Sequence, residues 1–100
     1  NVLLGDDEVL TGGSVYNAAE GLHSEGANDV YLAFTHAMLG GNALENLAAC
    51  NFREIIMTNT IPLHEARRLP NMTILSVSPL LGEVMRRGHE GRSVGEMFNE

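Results

Sequence analysis

The stretch "GDDEVLTGGS", residues 5 to 14, concentrates most of the chemistry that this sequence can do. Two adjacent aspartates, Asp6 and Asp7, precede a loop in which Thr11, Gly12, Gly13 and Ser14 lead into a helix-like segment. Glycines at 12 and 13 let backbone N–H groups turn inward and approach an anion closely. The Thr11 and Ser14 hydroxyls add donors. A helix starting near Ser14 aims the positive end of its dipole at the same point. Such a cradle, running from Leu10 to Ser14, suits a phosphate monoester. The aspartates repel phosphate, so they suit what is attached to it: vicinal hydroxyls, or a divalent cation bridging to hydroxyl oxygens. A sugar phosphate meets both demands. The plainer reading is an ordinary strand-to-helix connection, with Ser14 as N-cap and the acids compensating the dipole.

The elements that must position these residues alternate. Val2 to Leu4 is a short apolar strand ending at the acids. Val15, Ala18, Ala19 and Leu22 form the stripe of an amphipathic helix, which Gly26 is placed to terminate. "DVYLAF" (29 to 34), "EIIMT" (54 to 58) and "MTILSV" (72 to 77) read as further strands. Asn42 is the expected N-cap of a second helix carrying Ala43, Leu44, Leu47 and Ala48. Ser78 and Pro79 form a cap-plus-N1 pair for a third, with Leu80, Leu81, Val84 and Met85 on its apolar face and Glu83 and Arg87 on its wet side. A last short turn is expected from Ser93, with Glu96 in capping-box spacing. Strands alternating with helices imply an α/β fold: a mostly parallel sheet with helices on both faces, in three layers. Ligands of such sheets bind at the carboxyl ends of the strands. Those ends read as Asp6 and Asp7, Thr35 and His36, Thr58 to Thr60, and Ser76 with Ser78.

Bulk properties narrow the partners. One hundred residues make a single domain, 1–100, and 44% hydrophobic residues fit a globular α/β protein. A net charge of -7 argues against nucleic acid and anionic membrane surfaces. All six basic residues are arginine, which excludes a P-loop or Schiff-base lysine within this stretch. No apolar run approaches the roughly 20 residues that span a bilayer. Cys50 is alone, which points to a reducing, cytoplasmic compartment. The chain begins inside a strand-like segment without an initiator methionine, which sets the expectation of a piece of a longer polypeptide.

"VLLGDDEVLTGGS" resembles the phosphoribosyl-diphosphate-binding motif of type I phosphoribosyltransferase folds. "GANDVYLAFTHAMLGGNALENL", "EIIMTNTIP" and "ILSVSPLLGEVMRRGHEGRSVGEMF" look, in order, like the C-terminal half of ribose-phosphate diphosphokinase (PRPP synthetase). The resemblance covers essentially the whole chain. It implies a phosphoribosyltransferase-like partial domain and a reaction: transfer of the diphosphoryl group of ATP to ribose 5-phosphate, giving PRPP and AMP. It implies that Asp6 and Asp7 face the ribose hydroxyls with Mg²⁺ nearby, and that Leu10 to Ser14 wrap the 5-phosphate. The family's ATP loops and catalytic cations lie upstream, so no catalytic residue is expected within this stretch, which would bind at most the sugar phosphate. A homo-oligomer, dimers building a hexamer, is also implied. Two positions depart from the family. Leu10 stands where Asp is usual, and Glu8 where an apolar residue is common. Leu10 keeps one alternative in view, a non-catalytic PRPP-synthetase-associated subunit; another, a base-specific phosphoribosyltransferase, calls for an acid at that position.

Other residues carry weaker expectations. His36 belongs to a Thr-His pair that the family shares, and either ligand contact or a hydrogen bond to a loop would explain it. Ser93 matches a tail serine near the family's effector site. His23, His64 and His89 lack metal-ligand spacing and read as surface residues, and Cys50 as a small core filler.

Overall fold

The computed structural model describes residues 1–98. The chain runs β1 (Val2–Val9), α1 (Gly13–Ser24), β2 (Val30–Ala37), α2 (Ala43–Ala49) and β3 (Glu54–Thr58). A 3-10 turn (Glu65–Arg67), β4 (Met72–Leu75), α3 (Ser78–Glu90) and a second 3-10 turn (Gly95–Phe98) follow. The four strands pair in parallel in the order β1-β2-β3-β4.

The register sorts side chains by face. Leu4, Leu32, Ile55 and Met72 stand opposite one another across the sheet, as do Asp6, Phe34, Met57 and Ile74 one layer on. Side chains alternate between faces along a strand, so both rows point the same way. Val15 and Ala19 from α1 and Ala43 and Leu47 from α2 close over them in a single core. Gly5, Ala33, Ile56 and Thr73 form a row of opposite parity. That parity stays open at its flanks, where Leu3 is 65% and Leu75 53% exposed. The expectation of helices on both faces therefore differs from what the described residues form. The reason is topological: right-handed crossovers between strands in sequential order put their helices on one side, and a second layer needs the winding to reverse.

Several boundaries also moved. β1 does not stop before the acids but continues through Asp6, Asp7 and Glu8 to Val9, paired with β2 at Asp6, Glu8 and Val9. β2 likewise absorbs Thr35 and His36. β4 ends at Leu75 rather than Val77. α1 starts at Gly13 with Gly12 in the cap position, so Ser14 lies inside the helix and is not its N-cap. At its other end Gly26 (φ 95°) closes a Schellman turn: the Ala27 and Gly26 amides donate to the Leu22 and His23 carbonyls at 3.0 and 3.1 Å. Asn42 holds the expected cap position of α2, but its side chain makes no capping bond. The cap of α3 is Val77, and the hydroxyl that accepts from its first turn is Ser76, from Ser78 N–H at 3.1 Å. The last turn begins at Gly95, two residues after Ser93.

α3 buries none of its residues; Leu81 and Met85 are 51% and 70% exposed. Its wet side is tightly wired. Glu83 accepts from Arg86 Nη2 at 2.7 Å and from Arg87 Nε at 2.8 Å, and Arg87 Nη1 donates to Ser93 O at 2.9 Å. The Arg86 and Arg87 guanidiniums hold the Glu83 carboxyl down at about 2.

Two outcomes test this account. Leu32, 1% exposed at the centre of the sheet, should cost about 2–5 kcal/mol when replaced by Ala, read from urea unfolding. A carboxyl whose folded pKa is depressed stabilises above its unfolded value and loses that contribution as pH falls towards the folded one. Glu83→Gln should therefore lower α3 stability at pH 7, with the deficit shrinking between about pH 4.5 and pH 2 in circular-dichroism melts.

Candidate functional site

The loop between β1 and α1 forms the rim of an open pocket of about 230 Å³, lined by Asp6 and by Glu8 through Val15. Its geometry follows from where three consecutive carbonyls go. Leu10 O accepts from Gly40 N–H at 2.7 Å. Thr11 O accepts from the Asn46 side-chain amide at 2.7 Å, and Gly12 O from Tyr16 N–H at 2.8 Å as the first bond of α1. In a planar trans peptide the C=O and the following N–H point in opposite directions. Drawing those three carbonyls into the protein turns the amides of Thr11, Gly12 and Gly13 the other way. The amides of Ser14 and Val15 belong to the first helical turn and have no intrahelical acceptor. Among the described residues nothing accepts a hydrogen bond from any of these five amides.

Gly12 has φ 77°, a left-handed conformation that costs an L residue roughly 1–2 kcal/mol. A Cβ there would also lie 3.3 Å from Asn46 Cβ. Glycine is thus required twice over, by dihedral and by space. Gly13 carries no such demand: it has ordinary helical geometry, and a Cβ would meet only the Thr11 hydroxyl at 3.8 Å. Leu10 is 51% exposed and sits on the rim without filling the pocket.

The two aspartates part company. Asp6 lines the pocket and Asp7 does not, whereas Glu8 does. Both aspartates brace the strand: Asp7 N–H donates to Asp6 Oδ1 at 2.7 Å and Glu8 N–H to Asp7 Oδ1 at 2.9 Å. The Asp7 carboxyl is held below the usual carboxylate range, first by a hydrogen bond shared with the Asp6 side chain, then by the amides of Asp7 and Glu8, with His36 adding its charge. Glu8 was not singled out from the sequence as a site residue, although its i, i+2 spacing from Asp6 in an extended segment was the available signal. Asn46 gave no signal at all, lying 35 residues from the carbonyl it holds.

The other polar strand ends are tied to each other. His36 Nδ1 and Thr60 Oγ1 share a hydrogen bond of 2.8 Å, and Thr58 Oγ1 donates to Thr35 O at 2.6 Å. Asn59 Oδ1 accepts from Val77 N–H at 2.9 Å. His36 thus fastens the loop after β3 to the end of β2. Ser93 is apart from the pocket lining and meets α3 through its carbonyl. Cys50 is buried, where burial pushes its thiol up, and Sγ donates to Asn46 O at 3.1 Å. Among the described residues no three His, Cys, Asp or Glu side chains converge as a metal centre. Asp6 and Glu8 still fit a hard cation of the kind that takes one or two carboxylates and completes its shell with ligand oxygens and water. No helix among the described residues is long and apolar enough to cross a membrane.

Comparison with known proteins agrees along the whole chain. Over 94 residues it is 44% identical to a ribose-phosphate pyrophosphokinase of Mycobacterium bovis, covering 94% of this chain and 29% of that protein. It is 49% identical over 90 residues to the chloroplastic ribose-phosphate pyrophosphokinase 1 of Oryza sativa, covering 90% and 23%. The crystal structure of phosphoribosylpyrophosphate synthetase from Mycobacterium smegmatis matches with a TM-score of 0.87 at 41% identity, over 91% of this chain and 31% of that one. The chain spans less than a third of the length of these relatives. The family model described as phosphoribosyl synthetase-associated domain matches residues 2–99, and the chain belongs to that family.

Proposed function

We propose that this chain is the ribose 5-phosphate- and PRPP-binding part of a ribose-phosphate diphosphokinase, the C-terminal portion of a longer polypeptide. The observation that carries this reading is the loop in which free amides from Thr11 to Val15 rim one pocket with a carboxylate wall, in a chain whose relatives bear that enzyme's name. The reaction moves the diphosphoryl group of ATP to the anomeric hydroxyl of ribose 5-phosphate. The sugar oxygen forms a bond to the β-phosphorus as the bond from that phosphorus to the AMP oxygen breaks, and the hydroxyl proton is released.

This part of the enzyme holds and orients the acceptor. The backbone from Leu10 to Ser14 and the hydroxyls of Thr11 and Ser14 take the 5-phosphate dianion, assisted by the α1 dipole. Asp6 faces the ribose hydroxyls from the pocket wall, with Asp7 beside it on the strand. Fixing the sugar at both ends directs its anomeric hydroxyl towards the donor, the positioning on which phosphoryl transfer chiefly relies. Mg²⁺, when bound, supplies charge neutralisation on the diphosphate, and Asp6 and Asp7 would reach it through sugar or water oxygens. ATP and the catalytic cations are held by residues outside this stretch. In the longer protein the open sheet face takes a second helical layer, which completes a three-layer phosphoribosyltransferase-like domain. The same reading places the enzyme in the cytoplasm as a homo-oligomer of dimers forming a hexamer, with Ser93 near an effector site.

Two measurements check it. The full-length protein incubated with ATP, Mg²⁺ and ribose 5-phosphate should release AMP; a pure sample with none above its ATPase background overturns the reading. Ser14→Ala should weaken ribose 5-phosphate binding by about 1–3 kcal/mol in isothermal titration, the cost of a lost hydrogen bond to a charged group.

A further inference from the structure

Arg67 points its charge at a backbone carbonyl. It ends the 3-10 turn after β3, which Leu63 and Leu69 pin to the core on either side, and its Nη2 donates to Leu39 O at 2.7 Å. Among the described residues it forms no ion pair. Leu39 O belongs to the peptide unit that also carries the Gly40 N–H, and the two point in opposite directions. Gly40 N–H in turn donates to Leu10 O at 2.7 Å. Leu10 O shares its own peptide unit with the Thr11 N–H, which turns away from it towards the pocket and has no acceptor among the described residues. A cation and two peptide units thus stand in one relay, running from the guanidinium to the first free amide of the loop.

We infer that Arg67 is a positioning residue of this site, fixing the direction of the Thr11 amide through the Leu39–Gly40 peptide and polarising that amide towards an anion. The inference rests on the sugar-phosphate reading proposed above and extends the site to a side chain outside the pocket lining. Two physical effects act along the relay. A charged donor bonds more strongly than a neutral one, so the guanidinium helps to hold Leu39 at φ 45°, a dihedral that a bulky residue does not keep unaided. Hydrogen bonds in a chain also polarise one another, and a positive charge at the donor end makes each N–H further along a better donor. The group that gains is the phosphate at the Thr11 amide, while the sugar hydroxyls gain nothing. Arg67 therefore contributes to anion affinity without lining the pocket.

The test uses the full-length protein and ribose 5-phosphate in isothermal titration, with a thermal melt of each variant. Arg67→Met, which removes both donor and charge, should weaken binding roughly threefold to tenfold, the size of one ordinary hydrogen bond. Its melting temperature should change little, because Arg67 is exposed. Arg67→Lys, which keeps a charged donor, should bind more tightly than Arg67→Met. An unchanged affinity in Arg67→Met overturns the inference. So does a loss that Arg67→Lys shares in full, since it would lie in the shape of the guanidinium and not in the charged bond. If Arg67→Met loses its fold, Arg67→Gln takes its place and is held to the same comparison with Arg67→Lys. A wild-type protein that binds no ribose 5-phosphate removes the cradle and the role of Arg67 with it, whereas wild-type binding that the Met variant retains leaves the cradle standing and removes Arg67 alone.

Discussion

The site depends on the capture of three successive carbonyls. Gly40 N–H, the Asn46 side chain and Tyr16 N–H hold the oxygens of Leu10, Thr11 and Gly12. Peptide planarity then leaves the intervening amides no direction but outward. Two of the three donors come from the β2–α2 connection and from α2, the neighbouring crossover. The bonds that close the β1–α1 connection are also the ones that aim its free amides.

The acidic segment is explained by its place in the sheet. Three consecutive acids are poor strand formers by propensity. β1 nevertheless pairs with β2 from Val2 to Asp6 and again at Glu8 and Val9, because the ladder and the packing of Leu4 and Val9 outweigh local preference. β1 stands at one end of the four described strands. Asp6 continues the row of Phe34, Met57 and Ile74, so the pocket begins where the core row runs out of apolar residues.

What could be read from the sequence follows the range of the forces involved. Glu54–Thr58 was legible to the residue, because a β-branched run between turn signals is a local feature. So were Val15, Ala19 and Leu22 of the α1 stripe and its Gly26 stop, whereas Ala18 is exposed. Strand ends in general were not. Charges at 6 to 8 and polar residues at 35 and 36 look like loop, and only the partner strand shows that they pair. Caps slipped for a related reason: Ser14 and Ser78 are good cap residues, but backbone geometry at Gly12 and Val77 set the helix starts one or two residues earlier. The alternation of elements announced a parallel sheet, but strand order is not written in it, and order decides which face the helices cover. The loop was found by its glycines, whereas Asn46, whose bond shapes it, was invisible.

Leu39 shows how far that dependence extends. It is a buried leucine with φ 45°, its amide on Val9 O at 3.0 Å and its carbonyl taken by Arg67 Nη2 at 2.7 Å. A bulky residue holds such a dihedral only where its surroundings insist on it. The signature "LTGGS" is therefore not a portable module. Grafted into an unrelated strand–helix junction it would bring the glycines and hydroxyls but not the curvature. The smallest transplantable unit is a pair of adjacent crossovers that carries Leu39, Gly40 and Asn46 along with it.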